Sequence, residues 1–180
     1  MASLELEDYA RQIDSVIAAA QALVDNHSLA DLTRPAPAGG WSAVECIDHI
    51  AVTLEKYLPV LRAALEAGKH SKGEGPFQYG LLARMFLWVL EPPVRMRVKA
   101  PSVFAPRPQP EPQAVLRNYI ARHNELQSLL LLARGLDIAA IRLASPATPK
   151  LKLPAGAVFG ILTAHARRHL WQARRALNES

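Results

Sequence analysis

The chain has 180 residues, half of them apolar, with few aromatics and a formal net charge of +5. This length fits one domain, residues 1–180, with a sizeable core, and the Ala- and Leu-rich composition favours helix over sheet. The arginines are spread rather than blocked, and no zinc-finger spacing or aromatic-interleaved basic run occurs, so no nucleic-acid partner is expected.

Cys46, the single cysteine, cannot close an internal disulfide, which suits a reducing cytoplasm. The N-terminal stretch has neither the basic nor the apolar region of a signal peptide. The longest apolar run, Leu81 to Leu90, contains Arg84 and is about half of the roughly 20 residues a membrane span needs. A soluble, cytoplasmic protein with no membrane partner is expected.

Residues 4 to 26 read as a first helix, with Leu6, Tyr9, Ile13, Val16, Ile17, Ala20 and Leu23 on one face. Asp31 to Gly40, with Pro35, Pro37 and a Gly pair, reads as a connecting loop. Ser42 followed by Glu45 is a capping box that opens a second helix, with Trp41 placed to staple against Cys46. This helix runs to Ala67, stopped at Gly68, and its main stripe is Ile47, Ile50, Leu54, Leu58, Leu61 and Leu65. His49 falls off that stripe, on the flank of Glu45, Thr53 and Val60.

Phe77 to Glu91 reads as a short, very apolar helix: a lid, a patch on the core or a dimer contact. Pro92 to Pro112 holds half of the prolines, which exclude helix interiors and central strands and leave an extended crossover. Pro112 opens a third long helix that carries Leu116, Tyr119, Ile120, His123, Leu126, Leu130 and Leu131 on its apolar stripe and ends at Gly135. Asp137 to Pro154 reads as a loop, and the last helix runs from Ala155 to Asn178. The fold predicted is all-α: a four-helix bundle with a long crossover between the second and third helices, plus a short extra helix.

His165 and His169 stand four residues apart, so on a helix they project from one face, which Val158 and Leu162 make apolar. The opposite face, with Arg167, Arg174 and Arg175, belongs in water. Two imidazoles side by side in an apolar setting need satisfying, either by local hydrogen bonds or by a divalent metal ion on which both rings converge. Two ligands do not complete a site.

The run Gly40-Trp41-Ser42-Ala43-Val44-Glu45-Cys46-Ile47-Asp48-His49-Ile50 resembles the motif that opens the second helix of the DinB-like superfamily of four-helix bundles. His165-Ala166-Arg167-Arg168-His169-Leu170-Trp171-Gln172 is similar to that superfamily's C-terminal signature. The resemblance covers essentially the whole chain and supplies a third ligand: His49, with His165 and His169, as a three-histidine site. It implies a divalent ion, Zn or Ni first and Fe or Mn next, with coordination positions open to water or substrate. It also implies the activities of characterised relatives: transferases that use a low-molecular-weight thiol, and metal-dependent isomerases or hydrolases. The expected chemistry is a metal-held thiolate or hydroxide attacking an electrophilic small molecule.

Glu45 is either an orienting partner of His49 or simply part of the capping box. His123 reads as a base reaching the cavity or as a satisfied core histidine, and Gln172 as a hydrogen-bond partner of the site or a surface amide. Asp48 points about 100° away from His49 and is set aside. Cys46 reads as a small buried hydrophobe. Arg95 to Arg107 would attract an anionic thiol cosubstrate or merely solubilise a loop. Three functions follow: a thiol transferase or hydrolase, a non-catalytic metal- or ligand-binding stress protein, and a helical interaction module. The apolar Leu81–Leu90 segment makes a homodimer reasonable.

Overall fold

A computed structural model describes residues 4–36, 39–73, 75–93 and 100–178. Its helices are α1 (Leu4–Asp25), α2 (Leu29–Thr33), α3 (Ala43–Ala67), α4 (Leu81–Leu90), α5 (Pro112–Leu132) and α6 (Ala155–Ala176). Helix dominates, and the only sheet among the described residues is a hairpin of β1 (Arg142–Ala144) and β2 (Lys152–Pro154), so the class is all-α. Helix α3 packs against both α5 and α6, and α1 packs against the same pair.

The stripes explain the packing. Leu6, Tyr9, Ile13, Val16, Ala20 and Leu23 of α1 are buried, as their spacing requires. In α5 Leu116, Tyr119, His123, Leu126, Leu129 and Leu130 are among the buried residues; Leu131, expected inside, is 59% exposed. The last turn of α5 therefore faces the core through Leu129 instead. Helix α3 departs furthest from a simple stripe, because every residue from Cys46 to Leu54 is buried. His49 lies inside although it is off the main stripe, since α6 and Phe104 of the crossover cover that flank.

Caps set the helix starts. The Ser42 hydroxyl accepts the Glu45 N–H at 3.3 Å, and the Glu45 carboxylate accepts the Ser42 N–H at 2.8 Å, which completes the capping box. Ser42→Ala removes half of this exchange and is expected to lower the unfolding free energy by about 1 kcal/mol in a urea titration. At α5, Glu111 accepts from Gln113 and Ala114 N–H, and Pro112 occupies the first turn, where its missing donor costs nothing.

Three expectations need correction. The stretch read as loop from Asp31 begins inside α2, which Ser28 caps through the Asp31 N–H at 3.1 Å. Five residues are too few to show a helical period. The loop read from Asp137 to Pro154 contains the hairpin, in which Leu143 faces Leu153 and both are buried. Three-residue strands likewise leave no alternation to read. The extra helix is shorter than Phe77–Glu91, and begins only at Leu81.

Helix α4 packs on α6, where Leu87 approaches Gly160. Its other side exposes Leu81, Leu82, Met85 and Trp88. The start of α6 admits a similar close approach: a Cβ on Gly156 would lie 1.9 Å from the Tyr79 hydroxyl and 2.8 Å from Ile138 Cδ1. Gly156→Ala is therefore expected to destabilise the chain by about 1–3 kcal/mol. The loss should shrink in a Tyr79→Ala background, which a double-mutant cycle by chemical denaturation measures.

Candidate metal centre

The seam between α3 and α6 brings His49, His165 and His169 together. Their ring centroids lie 4.9 Å (His49–His165), 4.3 Å (His49–His169) and 4.4 Å (His165–His169) apart. One donor atom from each lies within 4.8 Å of the other two, and among the described residues no fourth His, Cys, Asp or Glu joins the group. The four-residue spacing on α6 stacks two of the rings along one helix face, and α3 supplies the third across the seam.

The hydrogen bonds fix which nitrogen of His49 faces inward. Its Nδ1 lies 2.6 Å from the Phe104 carbonyl oxygen, which can only accept, so Nδ1 carries the proton and Nε2 presents its lone pair. That Nε2 lies 3.1 Å from Nε2 of His165. Two nitrogens each bound at about 2.0–2.1 Å to a tetrahedral zinc would stand about 3.3 Å apart. The spacing therefore suits a shared ion. The Nδ1 atoms of His165 and His169 are buried without a hydrogen-bond partner, so protein groups alone do not satisfy these rings.

Electrostatics keep all three rings neutral, the form a metal needs. Burial pushes His165 down to about 3, with His49 and Arg168 adding to the effect. Burial also holds His169 well below its ordinary value, reinforced by His165, His49 and Arg168. His49 is lowered by burial as well, and the bond to Phe104 offsets part of this. Trp41 closes one side, its ring 4.7 Å from that of His49 and 6.0 Å from that of His169.

A model of the DinB superfamily matches residues 12–173, a span that contains all three histidines, the whole of α3 and all but the last turn of α6. The chain belongs to the DinB superfamily. No curated protein and no solved structure matches it. As a DinB-superfamily chain it thus carries a three-histidine cluster able to hold a metal ion.

The other residues singled out in this DinB-superfamily sequence fall in different places. Glu45 is engaged by both the N–H and the hydroxyl of Ser42, at 2.8 Å each. It borders a surface hollow of about 380 Å³, lined also by Thr33, Gln109 and Glu111 and by none of the three histidines. His123 is buried on α5 with its Nδ1 2.9 Å from the Tyr119 carbonyl, outside the triad. Gln172 approaches His169 closely enough to favour its charged form slightly. Cys46 is buried, and burial pushes its thiol up to about 12, far from a reactive thiolate.

The arginines are not all solvated. Arg174 and Arg175 are exposed, but Arg167 pairs with Glu91 and donates to Gln12 at 2.7 Å. Arg168 is buried and donates to the Val89 carbonyl at 2.9 Å. Helix α4 covers this side of α6, so these two cations meet protein where water was expected. Arg95, Arg97 and Lys99 lie outside the described residues, while Arg107 is committed to carboxylates on α3.

Sequence reasoning missed the Phe104 carbonyl, the ring of Trp41 over the histidines and the engagement of Asp48. A backbone acceptor leaves no sequence signal. Trp41 sits in the residues before α3, beyond the reach of helical periodicity.

Proposed function

We propose that this chain is a divalent-metal-dependent enzyme of DinB type, with His49, His165 and His169 as the ligands. Its reaction is transfer of a low-molecular-weight thiol to an electrophilic small molecule, or hydrolysis of such a molecule. The observation that carries the reading is the convergence of three imidazoles, two buried and one half-buried, each offering a nitrogen within 4.8 Å of the other two. A bound Zn or Ni ion would supply the Lewis acidity that activates a thiol or a water there. Three protein ligands with no fourth carboxylate or thiolate beside them among the described residues favour a catalytic over a structural centre.

The chain's own groups keep the donors ready. The Phe104 carbonyl holds the His49 proton on Nδ1, leaving Nε2 free to ligate. Burial keeps His165 and His169 unprotonated at neutral pH. Trp41 shields the His49 ring from solvent, and Gln172 is a polar side chain beside His169 placed to contact a substrate.

The same reading takes the four long helices as a single four-helix bundle with a crossover, in a cytoplasmic protein. Among the described residues, no helix is long and apolar enough to cross a membrane. A homodimer would cover the exposed Leu81, Leu82, Met85 and Trp88 of α4.

The test uses protein purified without immobilised nickel and loaded with one equivalent of zinc or nickel. Consumption of glutathione, cysteine and other small thiols is followed with a chloro-substituted aromatic electrophile, and ester hydrolysis is followed in parallel. The expected result is metal-dependent turnover that His49→Ala abolishes. Tight metal binding without turnover in either assay would contradict the enzymatic reading and favour a non-catalytic binding protein.

A further inference from the structure

The crossover is fastened to α3 immediately beside the first histidine. Asp48, with no exposed surface, accepts the Arg107 backbone N–H at 2.7 Å on Oδ2 and the Arg107 Nη1 at 2.6 Å on Oδ1. The other arm of the same guanidinium, Nη2, donates to Glu55 at 2.5 Å, two turns further along α3. Glu55 also accepts from Asn118 of α5 at 2.8 Å. Three residues before Arg107, the Phe104 carbonyl meets Nδ1 of His49, while the Phe104 ring is buried and stacks 5.9 Å from Tyr57.

A buried carboxylate must be paired, and an arginine that donates to it through its backbone N–H and one guanidinium arm leaves its segment little freedom. The two consecutive residues Asp48 and His49 point to different sides of α3, yet the same crossover segment meets both. We propose that Asp48 and Arg107 are positioning residues: a latch that seats the 104–107 segment so that the Phe104 carbonyl fixes the tautomer and orientation of His49. Groups that hold the far nitrogen of a ligating histidine act in this way, and their loss typically weakens metal binding roughly ten- to hundred-fold. The inference rests on the metal-site reading for its purpose, but its structural core concerns the metal-free protein.

The test separates the two. Long-range ¹H–¹⁵N spectra of the metal-free chain, with His49 assigned through His49→Ala, report which ring nitrogen carries the proton. In wild type His49 is expected as the Nδ1–H tautomer. In Arg107→Ala it is expected to become a mixture of tautomers, with zinc affinity falling roughly ten- to hundred-fold. Arg107→Lys, which keeps a side-chain cation beside Asp48, should restore most of the wild-type signature. If the alanine variant does not fold, Arg107→Gln carries the same comparison. An unchanged His49 spectrum in folded Arg107→Ala or Arg107→Gln overturns the proposal, for it would mean that the carbonyl is seated without the Arg107 guanidinium. Should wild type bind no zinc, the metal-site reading fails, and the ring spectra still decide the latch.

Discussion

Zinc will raise the unfolding temperature of the wild-type chain and leave His165→Ala/His169→Ala unmoved. An ion that binds only the folded state stabilises it by RT ln(1 + [L]/Kd), about 2.7 kcal/mol at a free concentration one hundred times Kd. For a chain of this length that corresponds to roughly 5–10 °C. The double variant removes both α6 donors and leaves His49 with no partner on the opposite helix. Each alanine also deletes a ring whose Nδ1 is buried without a partner, so the metal-free variant should lose less stability than two ordinary core truncations. Differential scanning fluorimetry across a zinc series reads both effects. A zinc-dependent rise retained in the double variant would place the ion elsewhere.

Acid will begin to destabilise the metal-free protein above the range where carboxylates titrate. His123 is pushed by burial from an ordinary 6.5 down to about 4, and His165 to about 3. The sign follows from proton counting: between pH 6.5 and 4 the unfolded chain binds protons that the folded chain refuses. Stability is therefore fully present above pH 6.5 and is lost progressively as pH falls through that window. For His123 alone the loss is on the order of 3 kcal/mol, at about 1.4 kcal/mol per pH unit. The triad contributes in the same direction. Against a total stability of about 5–15 kcal/mol, such a loss carries the unfolding midpoint into the pH 4–6 range. Denaturant midpoints measured from pH 7.5 to 4 should fall steeply in wild type and less steeply in His123→Leu. A flat profile would mean that the buried rings are not held neutral.

How much of this was legible beforehand depended on the range of the signal. The α1 stripe, the Ser42–Glu45 box and the His165/His169 spacing are local patterns, and each has a counterpart in the structure. His49 was reached only through the family resemblance, because its position off the main stripe argued for a flank. The enclosure of the Cys46–Leu54 part of α3, to which residues 55 and 116 positions from His49 contribute, is invisible to a helical wheel. The same holds for Asp48. Its direction away from His49 follows from helix geometry, but the cation on that side, Arg107, comes from a proline-rich segment with no periodicity. Burial of Arg168 beneath α4 was hidden for the same reason. Short elements, α2 and the β1–β2 hairpin, failed on length alone.

The central claim is that His49, His165 and His169 together hold one ion, and X-ray absorption at the metal edge of the zinc-loaded chain tests it most directly. The account predicts about one zinc per chain with three imidazole nitrogens at about 2.0–2.1 Å and the remaining position taken by a light oxygen donor. A first shell containing sulfur at about 2.3 Å would implicate Cys46. That result, or fewer than three imidazoles, would contradict it.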